Sequence, residues 1–358
     1  MMTQPQDKWA TWREIMAQPD IWRDWAAACD FAGHRAWVAA QDVEEVWFTG
    51  AGTSAYIGDI VVAGLEAQRG GPRLRSVPST DLVARPQDYL RGRAPLVVSF
   101  GRSGNSSESV GTLDALDALS PGAPRLNITC NGDSVLATRG GAETRALVLP
   151  EATHDSGFAM TSSFSTMLLT ALMLFADGTA DPAPLRRAAA EAARLLPVLP
   201  DAVGAAPGRA VFLGTGPLAF AARESALKVM ELSAGAIPCL WDSILGFRHG
   251  PKSFVTDDTH IVVLAGAEAP GAAYEADLIR ELRAQFPKSR VTVIGPGGDI
   301  DLAQPDGPVW AAAPSVLFAQ VASVLWAEAL GRNVDDPFAG QGTLTRVVSG
   351  VTLYEVRG

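Results

Sequence analysis

Val46-Trp47-Phe48-Thr49-Gly50-Ala51-Gly52-Thr53-Ser54 decides the fold. An apolar run breaks into glycines and then into small hydroxyls, and a helix is expected from about Ala55. Glycine allows a tight strand-to-helix turn, and Ser or Thr suits a helix start. The grammar recurs. Leu96-Val97-Val98-Ser99-Phe100 runs into Gly101-Arg102-Ser103-Gly104-Asn105-Ser106. Arg125-Leu126-Asn127-Ile128-Thr129 ends near Asn131-Gly132, and Ala146-Leu147-Val148-Leu149 is a fourth run. Short apolar strands alternating with helices predict an α/β protein, with a parallel sheet covered on both faces.

The second half repeats the pattern. Ala210-Val211-Phe212-Leu213 runs into Gly214-Thr215-Gly216, and His260-Ile261-Val262-Val263-Leu264 into Ala265-Gly266. Arg290-Val291-Thr292-Val293-Ile294 runs into Gly295-Pro296-Gly297-Gly298. The openings at Val46 and Val211 are equivalent, so the chain carries two copies of one module. The expected layout is N-terminal helices over 1–40, a first module over 41–180, a linking helix over 181–208, and a second module with a C-terminal tail over 209–358. Within residues 9–40, Thr11 and Glu14 fit a capping box, and Trp12, Ile15, Trp22 and Trp25 supply apolar faces.

Composition narrows the function. With 358 residues, 47% of them hydrophobic, the chain can bury a large core. A net charge of −10 argues against nucleic acid or an anionic membrane as partner, because both would be repelled. Cys29, Cys130 and Cys239 are odd in number and far apart, show no zinc-type spacing, and suit a reduced, cytoplasmic compartment. The N-terminus shows no signal-peptide pattern, and no uninterrupted apolar run long enough to span a bilayer is read.

Two features carry chemistry. The loops Gly52-Thr53-Ser54 and Ser103-Gly104-Asn105-Ser106 fall at the carboxyl ends of parallel strands, where ligands bind. Backbone N–H groups, hydroxyls and helix N-termini there make an anion site of neutral donors, which suits an acidic chain. Neither loop is a dinucleotide fingerprint or a P-loop. The second feature is Arg223-Glu224-Ser225-Ala226-Leu227-Lys228-Val229-Met230-Glu231, followed by Phe247-Arg248-His249-Gly250-Pro251-Lys252. Glu224, Lys228 and Glu231 share one helix face, amid residues apolar enough to be buried. Lys228 is one of four lysines in a chain that otherwise uses arginine, so a compact ammonium is preferred at this place. Of the histidines, His249 beside Gly250-Pro251 is read as functional, His34 as a surface or packing residue, and His260, which opens a strand, as structural.

These strings resemble the sugar isomerase (SIS) superfamily, from about residue 46 to 348. Gly-Thr-Ser (52–54), Ser-Gly-Asn-Ser (103–106), Glu-Ser-Ala-Leu-Lys-Val-Met-Glu (224–231) and His-Gly-Pro (249–251) look like the isomerase half of glucosamine-6-phosphate synthase. Residues 99–109, 158–164 and 246–253 are closer to the AgaS group of galactosamine-6-phosphate deaminases and tagatose-6-phosphate ketose/aldose isomerases. The resemblance implies two tandem flavodoxin-like three-layer sandwiches acting on a small sugar phosphate, without cofactor or metal. It implies Thr53, Ser54, Arg102, Ser103 and Ser106 as phosphate ligands, Glu231 as the base at C2, His249 as the ring-opening group, and Glu224 and Lys228 in the same site. Gly52, Asn105, His154 and Ser162 are further candidate substrate contacts. It also implies a homo-oligomer, a dimer or dimer of dimers. The synthase's tail lysine has no counterpart in Gly342-Thr343-Leu344-Thr345-Arg346-Val347, and Arg346 cannot serve as an easily deprotonated amine.

The implied reaction is conversion of D-galactosamine 6-phosphate to D-tagatose 6-phosphate and ammonia. The alternatives are a plain ketose/aldose isomerase, a glucosamine-6-phosphate deaminase, and a non-enzymatic sugar-phosphate sensor regulating transcription. The sensor is disfavoured because the residues before the first strand are Trp-rich, not basic, and lack a recognition helix.

Overall fold

The computed structural model describes residues 5–356, apart from 69, 142, 179, 342, 343, 347 and 349. Among these, the chain runs α1 (Ala10–Ala28), α2 (Phe31–Ala39), β1 (Glu45–Thr49), α3 (Thr53–Leu65), β2 (Arg73–Ser76), α4 (Ser79–Ala84), α5 (Pro86–Leu90), β3 (Leu96–Gly101), α6 (Ser107–Leu119), β4 (Arg125–Thr129), α7 (Val135–Thr138), β5 (Thr144–Val148) and α8 (Ser162–Phe175). It continues through α9 (Ala183–Leu195), α10 (Leu199–Val203), β6 (Arg209–Gly214), α11 (Pro217–Leu232), β7 (Cys239–Ser243), β8 (Thr259–Leu264), α12 (Gly271–Gln285), β9 (Arg290–Gly295), β10 (Ile300–Asp301) and α13 (Pro308–Ala329). Two compact units result. One contains β1–β5, from Ala27–Asp155, Ser162–Pro182 and the residues from Thr345 on. The other contains β6–β10, from the residues up to Ala26, Ser156–Thr161 and Ala183–Leu344.

Each unit is the expected α/β module built on a five-stranded parallel sheet. The strand orders are β2-β1-β3-β4-β5 and β10-β9-β8-β6-β7. Read from the β7 edge, the second order repeats the first. Each chain reverses direction across its sheet between the first and third strands of the copy, β1/β3 or β6/β8. This switch point leaves a crevice at the strands' carboxyl ends.

The three layers follow from strand periodicity. In the β1–β5 unit, Trp47 and Val97 pack under Leu82, Leu90, Ala115 and Leu116 of α4–α6. Their neighbours Phe48 and Phe100 point the other way, and Phe48 meets Phe175 of α8 edge-on at 5.0 Å. In the β6–β10 unit, Val211, Leu213, Ile261 and Val263 pack with Leu278 and Leu282 of α12. His260 lies on the opposite face, against Phe318 and Trp326 of α13.

Three strands escaped the sequence reading: β2, β7 and β10. All three are edge strands, β2 of the first sheet and β7 and β10 at the two ends of the second, so none needs a continuous apolar run. Arg73-Leu74-Arg75-Ser76 buries only Leu74. No uninterrupted membrane-length apolar run occurs in the longest helix, since Ser315, Gln320 and Ser323 break α13. Pro308–Ala329 is long and apolar enough to cross a membrane by length and composition, and nearly all of it is buried inside the protein.

The capping box at Thr11 and Glu14 is not formed. Thr11 lies inside α1, and its N–H and Oγ1 both donate to Asp335 Oδ1, at 2.9 and 2.7 Å. Ala10 N–H donates to the other oxygen of Asp335 at 2.8 Å, so the helix cap comes from a distant part of the chain. Glu14 instead accepts from the N–H and hydroxyl of Ser156, at 2.6 and 2.7 Å. Trp12, Ile15 and Trp22 are buried as expected, and the Gln18 side chain donates to Gln320 Oε1 at 2.7 Å between them.

His260 is structural, as the sequence reading has it. It is buried, bonded through Nε2 to Thr292 Oγ1 at 2.9 Å, and burial with the nearby Arg290 charge lowers its pKa to about 3. The folded protein therefore keeps this imidazole neutral, while the unfolded chain protonates it near 6.5. Its contribution is complete above that pH and is lost as the pH falls from 6.5 toward about 3. A His260→Gln variant should show a shallower fall of melting temperature over this interval than the wild type, each measured relative to its own alkaline plateau.

Candidate active site

The β1–β5 unit gathers the hydroxyl-rich loops at its switch point. After β1 the chain turns through Gly52, with φ 56° and ψ −129°, a conformation that L side chains rarely adopt. A Cβ on Gly50 would lie 2.6 Å from Ser54 Cβ, so α3 begins directly against the strand end. Thr53 and Ser54 form its buried first turn.

The neighbouring loop after β3 is pinned from behind. Gly104 has φ 63°, and a Cβ there would come 2.3 Å from Ser134 Oγ. Leu136 N–H donates to Gly104 O at 3.1 Å, Asn131 Nδ2 to Ser103 O at 3.2 Å, and Val135 N–H to Asn105 Oδ1 at 2.8 Å. Asn131 and Ser134 thus fix the loop's shape. Sequence reasoning noted Asn131-Gly132 only as a strand end. Ser106 is the N-cap of α6, its Oγ accepting from Ser109 N–H at 3.3 Å, and Ser103 Oγ accepts from Asn105 N–H at 3.3 Å. Both serines therefore shape the loop as well as offering hydroxyls.

A cationic cluster adjoins these loops within the same unit. Arg102 is 7% exposed and donates through Nη2 to Arg346 O at 3.0 Å. Arg346 donates through Nη1 to Asp155 O at 2.9 Å, so the tail residue is anchored in this cluster. His154 is half-buried, and burial first, then the charges of Arg346 and Arg102, lower its pKa, so it is neutral at neutral pH. Asp155 is fully buried and accepts from the N–H groups of Ser162 and Ser163, at 2.9 and 3.0 Å. The Ser162 amide is thereby committed to capping α8. Of the tail stretch, Gly342, Thr343 and Val347 lie outside the described residues.

The β6–β10 unit gathers the acid/base residues. Glu224 and Lys228 are fully buried on α11, and Glu231 is partly exposed on the same face. Lys228 Nζ lies 3.3 Å from Glu224 Oε1 and 2.5 Å from Glu231 Oε2. Burial pulls the Lys228 pKa down, but the two carboxylates outweigh it and leave the pKa above the ordinary value. Lys228 is therefore a permanent ammonium at neutral pH, a clamp and not a base.

His249 is exposed in the loop after β7, between the 3₁₀ turns Gly246–Arg248 and Pro251–Phe254. Its N–H donates to Gly246 O at 2.8 Å, and Gly250 at φ 122° takes a conformation suited to glycine. The residues on either side of the histidine share an anchor. Arg248 Nε lies 2.9 Å from Glu281 Oε2, and Lys252 Nζ bonds the other oxygen of Glu281. Hydrogen bonding from Lys252, then from Arg248, lowers the Glu281 pKa, so this brace on α12 is ionised. No signal in the local sequence pointed to Glu281, which is distant from the loop.

No protein-family model matches the chain. It is similar to D-galactosamine-6-phosphate deaminase AgaS of Escherichia coli, 41% identical over 327 residues, covering 86% of this chain and 84% of that one. It is 35% identical over 358 residues to the protein of the same name from Shewanella sp. strain ANA-3, covering 96% and 91%. Among solved structures, it resembles tagatose-6-phosphate ketose/aldose isomerase from Escherichia coli, with a TM-score of 0.87, 34% identity and 99% of each chain covered.

The Lys228 clamp makes a measurable claim. Removing one partner of a buried ion pair leaves uncompensated charge and costs about 3–5 kcal/mol. Lys228→Met should lower unfolding stability by that order in denaturant titration. Lys228→Met/Glu224→Gln should recover part of the loss, and strictly additive losses would refute the clamp.

Proposed function

The chain belongs to the AgaS group of the sugar isomerase family, and we propose that it deaminates D-galactosamine 6-phosphate to D-tagatose 6-phosphate and ammonia. The observation that carries this reading is the Glu224–Lys228–Glu231 face of α11, where a buried ammonium holds the partly exposed Glu231 carboxylate in place and supplies its counter-ion. The AgaS relatives at 35–41% identity support the substrate.

In this reading Ser54, Ser103 and Ser106, with Thr53 and Arg102, take the phosphate. His249 removes the proton of the C1 hydroxyl and returns one to the ring oxygen, opening the ring to an aldehyde. The Glu231 carboxylate removes the C2 proton while a proton from solvent reaches the C1 oxygen, forming the C1–C2 enaminol. The same carboxyl group then delivers its proton to C1, leaving an iminium at C2, whose extra proton returns to solvent when water is added. Water adds at C2, ammonia leaves, and the ketose phosphate remains. Lys228 holds Glu231 Oε2, which leaves the other carboxylate oxygen to carry the proton.

A second reading has an observation behind it: the structural relative at 34% identity is named as a ketose/aldose isomerase. That reaction uses the same proton transfer with a hydroxyl at C2 and releases no ammonia. Incubation with galactosamine 6-phosphate should yield ammonia and ketose in equal amounts. Glu231→Gln should lower kcat by about 10²–10⁴-fold with the fold intact by circular dichroism. Ketose formation from tagatose 6-phosphate's aldose partner without any ammonia from the amino sugar would select the isomerase instead. Full turnover by Glu231→Gln would remove that residue as the base.

A further inference from the structure

The β6–β10 unit has its own switch point, between the loops that follow β6 and β8. Its backbone copies the opening of the phosphate loop. Gly216 has φ 56° and ψ −127°, against φ 56° and ψ −129° at Gly52. A Cβ on Gly214 would meet Leu218 O at 2.4 Å, as one on Gly50 would meet Ser54.

The donors, however, have changed. With Gly216 set against Gly52, Thr53-Ser54 become Pro217-Leu218, so a backbone N–H and two hydroxyls are gone. The loop between β8 and α12, Ala265-Gly266-Ala267-Glu268-Ala269-Pro270, carries none of the serines found at 103 and 106. Two donors remain, one on each side of the crevice, and both are aimed at one carboxylate. Gly266 N–H donates to Glu275 Oε2 at 2.8 Å, and the Thr215 side chain acts on the same carboxyl group, favouring its ionised form.

Glu275 projects from α12 and is 2% exposed. Burial raises its pKa, and the bonds from Thr215 and Gly266 oppose that rise. Burying a carboxylate costs free energy unless hydrogen bonds offset it. Amide and hydroxyl donors converging at a loop between parallel strands are the means by which such sheets bind foreign oxyanions.

We propose that this crevice is an oxyanion site whose ligand is the chain's own Glu275, so that the second copy of the module takes no substrate anion. The inference goes beyond the deaminase reading and does not depend on it. Its consequence is a division of labour. The first switch point keeps the hydroxyls and the guanidinium that suit an anion, while the second is closed from within, and the helix leaving it, α11, carries the acid/base face.

The test is chemical rescue. Glu275→Ala would leave a space the size of a small carboxylate with two donors facing it. Its melting temperature should rise by about 2–4 °C when acetate or formate replaces chloride at constant pH and ionic strength. Glu275→Gln, which fills the space with a neutral amide, and Glu275→Ala/Thr215→Val, which lacks one donor, should not share that rise. If Glu275→Ala does not accumulate folded, its refolding yield in acetate against chloride reads the same quantity. Equal behaviour in acetate and chloride would overturn the proposal. Activity is not the readout, so that outcome would leave the deaminase reading standing, and loss of the deaminase reading would leave this one standing.

Discussion

Both halves of the protein depend on one backbone constraint, the turn from the first strand of each copy into its helix. Gly50 and Gly214 have no room for a side chain, and Gly52 and Gly216 adopt a positive φ that glycine takes readily. Because the helix starts within three residues of the strand, its first N–H groups are delivered to the crevice at the switch point. The first copy surrounds that crevice with hydroxyls and a buried guanidinium. The second closes it with a carboxylate and uses the departing helix for another purpose.

That purpose rests on a balance of charges inside α11. Isolated, a fully buried ammonium would lose its proton or leave the core, since desolvation disfavours the charged form. Two carboxylates one turn away reverse the outcome. Net stability from such a group is small or negative relative to an apolar core. What it gives is position: Glu231 is held by a neighbour that is itself immobile. The His249 loop is positioned by the same device on a more solvated scale, with Arg248 and Lys252 both tied to Glu281.

The central strands were legible because they are buried on both faces and therefore continuous in apolar residues, as in Leu96–Gly101. The motif loops were legible because glycines and hydroxyls cluster beside those strands, and the α11 face because its charges interrupt an apolar helix. Three of the four edge strands were not: Arg73–Ser76, for one, alternates arginine with its single buried residue, whereas the edge strand β5 still shows an apolar run. Long-range partners were not either. Thr11 and Glu14 have the spacing of a capping box, yet Asp335 and Ser156 reach them first. Asp155, Glu275 and Glu281 each act through groups that only folding brings near, and Asn131 and Ser134 support a loop some thirty positions before them without any mark in the local pattern.

The order in which the units draw on the chain bears on how the protein is made. The β6–β10 unit takes α1 through Ala26, returns for Ser156–Thr161, and is completed only by residues up to Leu344. The β1–β5 unit in turn waits for the segment from Thr345 onward, where Arg346 meets Arg102. Domains commonly fold in sequence as they leave the ribosome, N-terminal first. Here neither unit is complete before the residues around Leu344–Arg346 have been made. Helix α1 meets its partners Gln320 and Asp335 only after about 300 further residues have followed it, so Trp12 and Trp22 wait for most of their unit before they can be buried.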